Sequence, residues 1–586
     1  MKYLFSEASN YDKYPFIAVK GVEGEYFVGW TDILTKLNRH FNASIADKII
    51  VVFECYHGIC EDVAQIIKNS LNPSHFFKST EAFKSFEEID RMVYPDVTDD
   101  ELFGHLTKLS IEDFFDTQKL TSLQEKIDCI SEGVVLLFGT GASVLAKADV
   151  TLYLDMPRWE IQQRFRRNKL SNLGTDNSSE RTSLQYKRAF FVDWQVCDAF
   201  KKKIMPHCDY IIDTLDVDLP KMISQSAFRA ALAVAVERPF RVVPFFDPGP
   251  WGGQWMKEVC DLNRDEANYA WCFDCVPEEN SLLFKFGEML FETPAINLVF
   301  FKPEELLGSA VRKRFGDEFP IRFDFLDTME GGNLSLQVHP LTEYIKEKFG
   351  MHYTQDESYY LMDAGDDASV YLGLKNNIRP AEMIEDLRSS KETNCFDADK
   401  YVEKWKVKKH DHLLIPAGTV HCSGANAMVL EISATPFIFT FKLWDWNRMG
   451  VDGRPLPINI DHGEKVIQWD RSTDWTKMNL LNRFTLVAEG DAWKEEKTGL
   501  HELEFIETRR HWFSKKVNHH TQGGLNVLNL VEGAEVIVES ETNAFEPFVL
   551  HYAETFIVPA HVGQYSIRPF GKSEASLCAT IKAFVR

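Results

Sequence analysis

The spacing of apolar residues changes once along this chain, close to residue 237, and that change limits the folds available to it. Before it, strand-like runs alternate with amphipathic segments, as in KIIVVFE (residues 48–54) followed by EDVAQIIKNSL. Such alternation is typical of a parallel sheet with helices on both faces. After it, short alternating runs separated by Gly, Pro, Asn and Asp predict β-sheets with helical insertions such as TEYIKEKFG and RPAEMIEDLRSS. The sequence therefore predicts a multidomain fold that joins an α/β region to an all-β region.

The chain contains 586 residues, more than one hydrophobic core can hold. Since domains usually run to ~100–200 residues, we predict three, with bounds 1–236, 237–480 and 481–586. In the last of these, FTLVAEG and GGLNVLNLVEGAEVIVES again look like strands and turns. The segments HLLIPAGTVH and TFIVPAHVGQY resemble each other, which indicates two related β-barrels.

Charge and cysteine content exclude several classes of partner. A net charge of -23 argues against a nucleic-acid partner, because that binding requires a concentrated Lys/Arg surface. The sequence has no apolar signal segment and no long apolar run, so we expect no membrane partner and a cytoplasmic location. The 11 cysteines, including Cys272 and Cys275, form no repeating framework and are predicted to be free thiols. Whether the chain forms a homo-oligomer is left open.

The stretch GGNLSLQVHP places Gln337 and His339 two positions apart in a strand-like run. Side chains two apart in a strand point to the same face, so both can reach one point. Glu357, which opens ESYYLMD, and His421, which follows the turn IPAGT, are two more donors in comparable settings. Zinc accepts histidine nitrogen and glutamate oxygen. Each residue alone is more often hydrogen-bonded to the backbone than bound to metal, whereas the four together favour a metal site.

These residues carry a resemblance to a known family. GPWGGQWM, FPIRFDFLDTMEGGNLSLQVHP, DESYYLMDA, HDHLLIPAGTVHCSGANAMVLEIS and FTFKLWDWNR occur in the order typical of class I mannose-6-phosphate isomerases. The resemblance covers about residues 248–467, and the last hundred residues are similar to that family's C-terminal domain. It implies two cupin (jelly-roll) β-barrels. It also implies that Gln337, His339, Glu357 and His421 bind zinc, and that the substrate is a small sugar phosphate. The implied reaction converts mannose 6-phosphate to fructose 6-phosphate through a cis-enediol.

The chain departs from this family at positions that carry the proton transfer. Gln355 stands where the family has a lysine, and Lys442 stands where it has an arginine. The aspartate that usually precedes that arginine is missing from SATPFIF. Lys442 is our first candidate for the base, since a desolvated lysine can lose its proton near neutral pH. Asp445 and Arg448 are the other candidate catalytic residues, with a structural ion pair as the equal alternative.

The first 236 residues resemble P-loop nucleoside and nucleotide kinases in the order of IIVVFE, PDVTDDELFG, GTGAS, LYLDMPRWEIQQRFRRNK and CDYIIDT. The loop ECYHGICED lacks the lysine of a Walker A motif and adds carboxylates where phosphates would lie. We therefore predict a degenerate kinase-like domain without a nucleotide site. Gly139 and Gly141 could still cradle an anion. Arg164, Arg166 and Arg167 are predicted to lie on a solvated helix face.

Three functions remain compatible with the sequence. The first is a zinc-dependent mannose-6-phosphate isomerase. The second is a zinc cupin that senses a sugar or sugar phosphate without turnover, which the loss of the family's lysine and aspartate favours. The third is an isomerase of a different sugar. Metal content, turnover and a panel of free and phosphorylated aldoses would distinguish them.

Overall fold

The computed structural model describes residues 9–43, 45–59, 61–434, 439–449, 457–499 and 503–586. Its sheets fall into three regions along the chain, a mixed α/β region followed by two regions built of antiparallel sheets. This confirms the change in architecture predicted from the sequence. Within the described residues, no helix has the length and apolar character needed to cross a membrane.

The N-terminal region contains a seven-stranded sheet in the order β2-β8-β7-β6-β3-β5-β4, whose central strands are parallel. The first strands are β1 (Phe16–Val19), β2 (Tyr26–Val28), β3 (Lys48–Cys55), β4 (His75–Lys78), β5 (Gly133–Gly139), β6 (Val150–Asp155), β7 (Tyr210–Asp213) and β8 (Lys221–Ser224). The helices are α1 (Gly29–Ala43), α2 (Glu61–Leu71), α3 (Phe86–Val97), α4 (Thr117–Asp128), α5 (Arg158–Arg166), α6 (Thr182–Arg188), α7 (Trp194–Ile204) and α8 (Gln225–Val236).

Strand β3 is apolar on both faces because helices cover both. Val51 and Phe53 pack with α1 and α2 residues in one core cluster, whereas Val52 packs in a second cluster with α7 and α8. Successive strand side chains point to opposite faces, so a near-continuous apolar run is what a two-sided sheet requires. The hydrophobic run therefore determines the layered arrangement of this region.

The glycine loop after β5 does cradle an anion, but the anion belongs to the chain itself. The carboxylate of Glu54 accepts hydrogen bonds from the backbone N–H groups of Gly141 (2.6 Å) and Ser143 (2.8 Å). The carbonyl of Gly58, in the loop after β3, accepts a hydrogen bond from Arg164 Nη1 at 2.9 Å. Backbone nests of this kind bind phosphate when they are open. Here the carboxylate fills the nest.

The middle region has a six-stranded sheet, β18-β15-β20-β13-β10-β9, and a five-stranded sheet, β17-β16-β19-β14-β21. A third sheet has three strands in the order β1-β11-β12, and in it β1 of the N-terminal region pairs in parallel with β11. The strands are β9 (Phe245–Asp247), β10 (Trp271–Cys275), β11 (Ser281–Phe286), β12 (Met289–Pro294), β13 (Arg322–Asp327), β14 (Leu336–Val338), β15 (Glu357–Ala364), β16 (Ser369–Leu374), β17 (Val402–Lys406), β18 (His412–Ile415), β19 (His421–Ser423), β20 (Ala427–Ser433) and β21 (Phe441–Trp444). The helices are α9 (Trp255–Val259), α10 (Ile296–Phe301), α11 (Pro303–Leu307), α12 (Ser309–Phe315), α13 (Thr342–Phe349), α14 (Pro380–Thr393), α15 (Ala398–Tyr401), α16 (Ile460–Val466) and α17 (Thr473–Asn479).

The C-terminal region repeats the two-sheet plan with six strands, β22-β23-β24-β31-β26-β29, and four strands, β25-β30-β27-β28. Its strands are β22 (Thr485–Gly490), β23 (Trp493–Gly499), β24 (Ile506–Phe513), β25 (Val517–His520), β26 (Asn526–Glu532), β27 (Glu535–Glu539), β28 (Phe548–His551), β29 (Thr555–Val558), β30 (Gln564–Pro569) and β31 (Cys578–Val585). Hereafter the two-sheet parts of these regions are called the middle barrel and the C-terminal barrel. Cys272 and Cys275 are buried free thiols, as predicted.

Candidate metal centre

The four predicted ligands come together in the middle barrel from both of its sheets. Gln337 on β14 and His421 on β19 are direct partners across antiparallel strands of the five-stranded sheet. His339 follows β14, two residues after Gln337. Glu357 begins β15 in the facing sheet, between Ile415 and Ser433 of the neighbouring strands. One sheet therefore supplies three ligands and the other supplies the carboxylate.

The ligand atoms lie within the reach of a single ion. His339, Glu357 and His421 each offer one ligand atom, and these atoms lie within 4.8 Å of one another. His339 Nε2 is 3.1 Å from Glu357 Oε2, and His421 Nε2 is 3.0 Å from Glu357 Oε1. Gln337 Nε2 is 3.2 Å from His421 Nε2. Turning the Gln337 amide by half a rotation presents its carbonyl oxygen to the same point.

Backbone carbonyls fix the orientation of both histidine rings. The Nδ1–H of His339 donates to the carbonyl oxygen of Phe439 at 3.0 Å, and the Nδ1–H of His421 donates to that of Thr419 at 2.9 Å. A carbonyl only accepts, so each Nδ1 carries the proton and each Nε2 presents a lone pair towards Glu357. Metal-bound histidines characteristically have such outer partners.

The residues fit a zinc ion. Two histidine lone pairs that face a carboxylate repel it unless a cation or proton lies between them. Ligand atoms of a tetrahedral zinc ion lie about 3.3 Å apart, close to the separations here. Among the described residues, His339 Nε2 and Glu357 Oε1 are buried without a hydrogen-bond partner. Burial and the partnerless atoms together favour a cation at this point.

The turn before His421 needs a glycine. Gly418 has a φ of +85°, and a Cβ there would lie 2.6 Å from Gln468 Cγ and 2.9 Å from the carbonyl oxygen of Val466. Its N–H donates to the carbonyl of His339 at 3.0 Å. The IPAGT turn therefore holds the segment before His421 against the backbone of His339. Only glycine adopts this conformation without strain.

Gln355, which is predicted to stand at the position of the family's lysine, contacts the predicted ligand Glu357 directly. Its Nε2 donates to Glu357 Oε2 at 2.9 Å, and its Oε1 accepts from the N–H of Phe439 at 3.1 Å. Gln355 thus joins the carboxylate ligand to the residue that orients His339.

A cavity of about 360 Å³ lies between the middle barrel and the N-terminal region, and Gln337 is the predicted ligand that lines it. Gln337, Gln355 and Lys442 line it, together with the acids Asp324 and Glu431. Burial raises the pKa of the Asp324 carboxyl well above its usual value, and burial and the neighbouring Glu357 do the same for Glu431. The cavity therefore places polar groups that can bind a polyhydroxylated ligand beside the candidate metal.

The three predicted catalytic residues lie next to one another, but only Lys442 lines this cavity. Lys442 on β21 is the direct strand partner of Gln337, so their side chains share a face. Its side chain is 30% exposed, and its Nζ lies 3.5 Å from Asp445 Oδ2. Asp445 Oδ1 accepts from Ser335 Oγ at 2.8 Å and from Arg448 Nε at 3.0 Å. Asp445 and Arg448 line a second cleft of about 570 Å³, and their catalytic roles stay predictions.

The prediction that the arginine cluster lies on a solvated helix face is wrong for Arg164, which is 5% exposed and bonds to Glu160 and the Gly58 carbonyl. The side chains of Arg166 and Arg167 are 41% and 58% exposed, as predicted. Arg166 also forms a two-pronged ion pair with Asp247 of the middle barrel, with both N–O distances 2.6 Å. Helical periodicity alone does not indicate this contact, because it arises where α5 packs against the middle barrel.

Several cavity residues were not identified from the sequence, although a signal was present. Asp324 in RFDFLD and Glu431 in MVLEIS are single acids in the middle of apolar strands, at positions that face the barrel interior. Buried acids are rare unless they are paired or functional. Gln162, Tyr186 and Glu279 gave no comparable signal, because they meet only through packing of distant segments.

The chain is similar to mannose-6-phosphate isomerases over part of its length. It is 29% identical over 153 residues to the Bacillus subtilis mannose-6-phosphate isomerase ManA, which covers 26% of this chain and 45% of that protein. It is 28% identical over 231 residues to the probable mannose-6-phosphate isomerase GmuF of the same organism, covering 39% and 68%. For the mannose-6-phosphate isomerase of Streptococcus mutans the identity is 25% over 244 residues, covering 41% and 72%. The chain thus spans less than half of the first of these relatives.

Two further comparisons concern part of the fold and the N-terminal region. The crystal structure of mannose 6-phosphate isomerase from Bacillus subtilis superposes with a TM-score of 0.48 at 16% identity, covering 59% of this chain and 99% of that one. Residues 29–237 match a family model described as a domain of unknown function (DUF8485). The chain therefore joins a segment homologous to mannose-6-phosphate isomerases to a segment that matches a family of unknown function.

Proposed function

We propose that this protein is a zinc-dependent aldose–ketose isomerase that interconverts mannose 6-phosphate and fructose 6-phosphate through a cis-enediol. The observation that carries the proposal is the convergence of Gln337, His339, Glu357 and His421, of which Gln337 lines the cavity. The partial similarity to mannose-6-phosphate isomerases supports the same activity. When bound, zinc supplies a Lewis acid that stabilises negative charge on the sugar oxygens.

In this reaction a base must carry one proton between C2 and C1 of the open-chain sugar. We assign that transfer to Lys442, whose position on the cavity wall beside Gln337 supports the role. With Lys442 as the neutral amine, the C2–H bond breaks towards its Nζ, the electron pair forms the C1–C2 double bond, and the C1 carbonyl pair moves onto O1, which gains a proton. As O2 then loses its proton and the C2 carbonyl forms, the C1–C2 pair takes the proton back from Nζ onto C1. Asp445, 3.5 Å away, would orient Lys442, and Arg448 would hold Asp445.

Metal removal and return tests this proposal. Purified protein is assayed for zinc and for conversion of mannose 6-phosphate in a coupled assay, before and after chelation. We expect about one zinc per chain, loss of turnover on chelation, and recovery with zinc but not with magnesium, which prefers oxygen ligands. Protein that binds zinc and sugar phosphate without turnover would instead support the sensor function.

A second candidate is an isomerase of an unphosphorylated aldose, and the charge of the cavity favours it. Its lining includes four acids, Asp247, Glu279, Asp324 and Glu431. Of the cations that line it, Arg166 is paired with Asp247, Arg322 with Glu278, and Lys442 lies 3.5 Å from Asp445. Carboxyl groups suit sugar hydroxyls better than a phosphate dianion. A panel that compares mannose, glucose and their 6-phosphates by kcat/KM would decide between the two.

We further propose that residues 1–236 are a degenerate kinase-like domain without a nucleotide site, followed by cupin domains at 237–480 and 481–586. The Glu54 carboxylate in the glycine nest supports the loss of phosphate binding. We also propose that the protein is cytoplasmic. Isothermal titration with ATP and magnesium should give no heat of binding.

A further inference from the structure

We propose that helices α5 and α6 of the N-terminal region form the sugar-contacting wall of the metal cavity. In this arrangement, which rests on the proposed function, Gln162, Arg166 and Tyr186 position two carboxylates of the middle barrel for the hydroxyl groups of the sugar. All three side chains line the cavity that Gln337 and Lys442 also line. The segment that matches a family of unknown function thereby receives a role in substrate binding.

Glu279 is the first of the two carboxylates. It lies in the turn between β10 and β11 and is 4% exposed. Gln162 Nε2 donates to its Oε2 at 2.6 Å, and Tyr186 Oη donates to its Oε1 at 3.3 Å. Burial raises the pKa of this carboxyl to about 7, against the opposing charge of Arg158. Both side-chain donors come from the N-terminal region, so that region determines where the Glu279 oxygens lie.

Asp247 is the second carboxylate and stands on β9, at the edge of the six-stranded sheet. Arg166, the last residue of α5, holds both of its oxygens in a two-pronged pair. A planar guanidinium fixes the plane of the carboxylate as well as its position, which a lysine cannot do. Each oxygen keeps lone pairs that can accept a sugar hydroxyl.

Aromatic rings cover the part of the cavity next to these acids. Trp251, Trp271 and Phe273 line it. Trp251 meets Trp271 edge to face with ring centres 4.7 Å apart. Trp159 of α5 stacks on Phe245 with ring centres 5.9 Å apart, and Phe245 stacks on Phe273 at the same distance. A cavity lined by both carboxylates and aromatic rings suits a sugar, which has hydroxyl edges and an apolar C–H face.

The N-terminal region also packs against the residue that orients His339. Phe103 stacks on Phe439 with ring centres 6.2 Å apart, and Phe191 meets the same ring edge to face at 6.3 Å. The Phe439 carbonyl accepts the Nδ1–H of His339. Packing of the N-terminal region therefore affects both the cavity wall formed by α5 and α6 and the orientation of the predicted metal ligand His339.

The test uses the full chain with zinc bound and three variants, Tyr186→Phe, Gln162→Ala and Arg166→Ala. Arg167→Ala is the matched control, because Arg167 adjoins Arg166 but is 58% exposed and pairs with Glu160. KM and kcat are measured with mannose 6-phosphate and mannose. Sugar binding is measured separately by fluorescence of the cavity tryptophans, and zinc content and circular dichroism check the fold.

We expect KM and the dissociation constant to rise about tenfold or more in the Arg166 and Gln162 variants, with kcat within about threefold of the parent. Tyr186→Phe, which removes a single oxygen atom, should raise KM and the dissociation constant about threefold. Arg166→Lys should recover part of the affinity. The Arg167 control should match the parent.

The outcomes separate this inference from the proposed function. Sugar binding that the variants weaken, without turnover in the parent, would leave the inference standing and overturn the isomerase. Variants that behave like the Arg167 control would overturn the inference whether or not the parent turns over. The inference would also be overturned if the parent converts neither mannose nor mannose 6-phosphate and neither sugar changes its fluorescence.

Discussion

Each barrel holds a pair of neighbouring buried histidines, at least one of which lies close to a glutamate, and the surroundings of the two pairs differ. In the middle barrel each ring donates from Nδ1 to a backbone carbonyl and presents Nε2 to Glu357. In the C-terminal barrel, His511 Nε2 lies 3.1 Å from Glu495, whereas neither nitrogen of His519 has a hydrogen-bond partner in the described part of the chain. Similar residues thus give one oriented ligand set and one set without orientation.

A buried lysine is a second difference between the two pairs. Lys582 is buried beside the two histidines of the C-terminal barrel. Burial has the largest effect and lowers the pKa of both histidines, that of His511 to about 4, and the charge of Lys582 lowers both pKa values further. His519 instead stacks on Tyr565 with ring centres 5.1 Å apart. A resident cation disfavours a metal ion at the same place. The comparison teaches that outer hydrogen bonds and local charge, more than residue type, define a metal centre.

Removing one histidine from each barrel should give the largest contrast. His339→Ala should lower zinc affinity and turnover by more than about 100-fold, beyond the loss typical of an outer-shell partner. His519→Leu should leave zinc content unchanged and alter the free energy of unfolding by less than about 1 kcal/mol, since its nitrogens make no hydrogen bonds. Zinc per chain and urea unfolding measure both. Loss of zinc in the His519 variant would break the comparison.

Lys582→Met tests the resident cation. Burial lowers the pKa of Lys582 to about 8, while an unfolded lysine titrates near 10.4. Between these values the unfolded chain binds more protons, so the free energy of unfolding should rise with pH by up to about 1.4 kcal/mol per unit. The variant should lack this rise. Urea unfolding at several pH values from neutral to alkaline measures it, and parallel profiles for the two proteins would contradict the assignment.

Gln355→Leu tests the outer hydrogen bonds of the middle barrel. The variant loses the donor to Glu357 and the acceptor for the Phe439 N–H. We expect zinc to bind about tenfold more weakly. Competition with a chromogenic chelator measures this. Gln65→Leu, on the exposed face of α2, is the control and should bind zinc like the parent.

Gln564→His should have the smallest effect. Gln564 follows VPAHVG as His421 follows IPAGTV, but it is exposed and its Nε2 donates to Glu541. A histidine there has no oriented partners, so zinc should stay near one per chain and stability should change by about 0.5 kcal/mol or less. A second zinc per chain would show that residue type alone creates the site.

Much of the candidate site could be predicted because its signals are local. Gln337 and His339 share a strand face, and the Gly418 turn before His421 carries its own conformational signature. Lys442 could be placed in the cavity because it belongs to the same ordered motifs. The functions of Asp445 and Arg448 could not be decided locally, since their contacts to Ser335 and the Asn333 carbonyl depend on a distant segment.

The sequence by itself determined the α/β to β transition and the strand faces, because these depend on periodicities of two to four residues. The four candidate donors were predicted from their order along the chain and from the family resemblance. Tertiary structure alone decided that Glu54 fills its own glycine nest, that Arg166 reaches Asp247, and that α5 and α6 close the metal cavity. The physical reason is that these contacts join segments about eighty or more residues apart. A local pattern shows that a residue is charged or apolar, but only packing selects its partner.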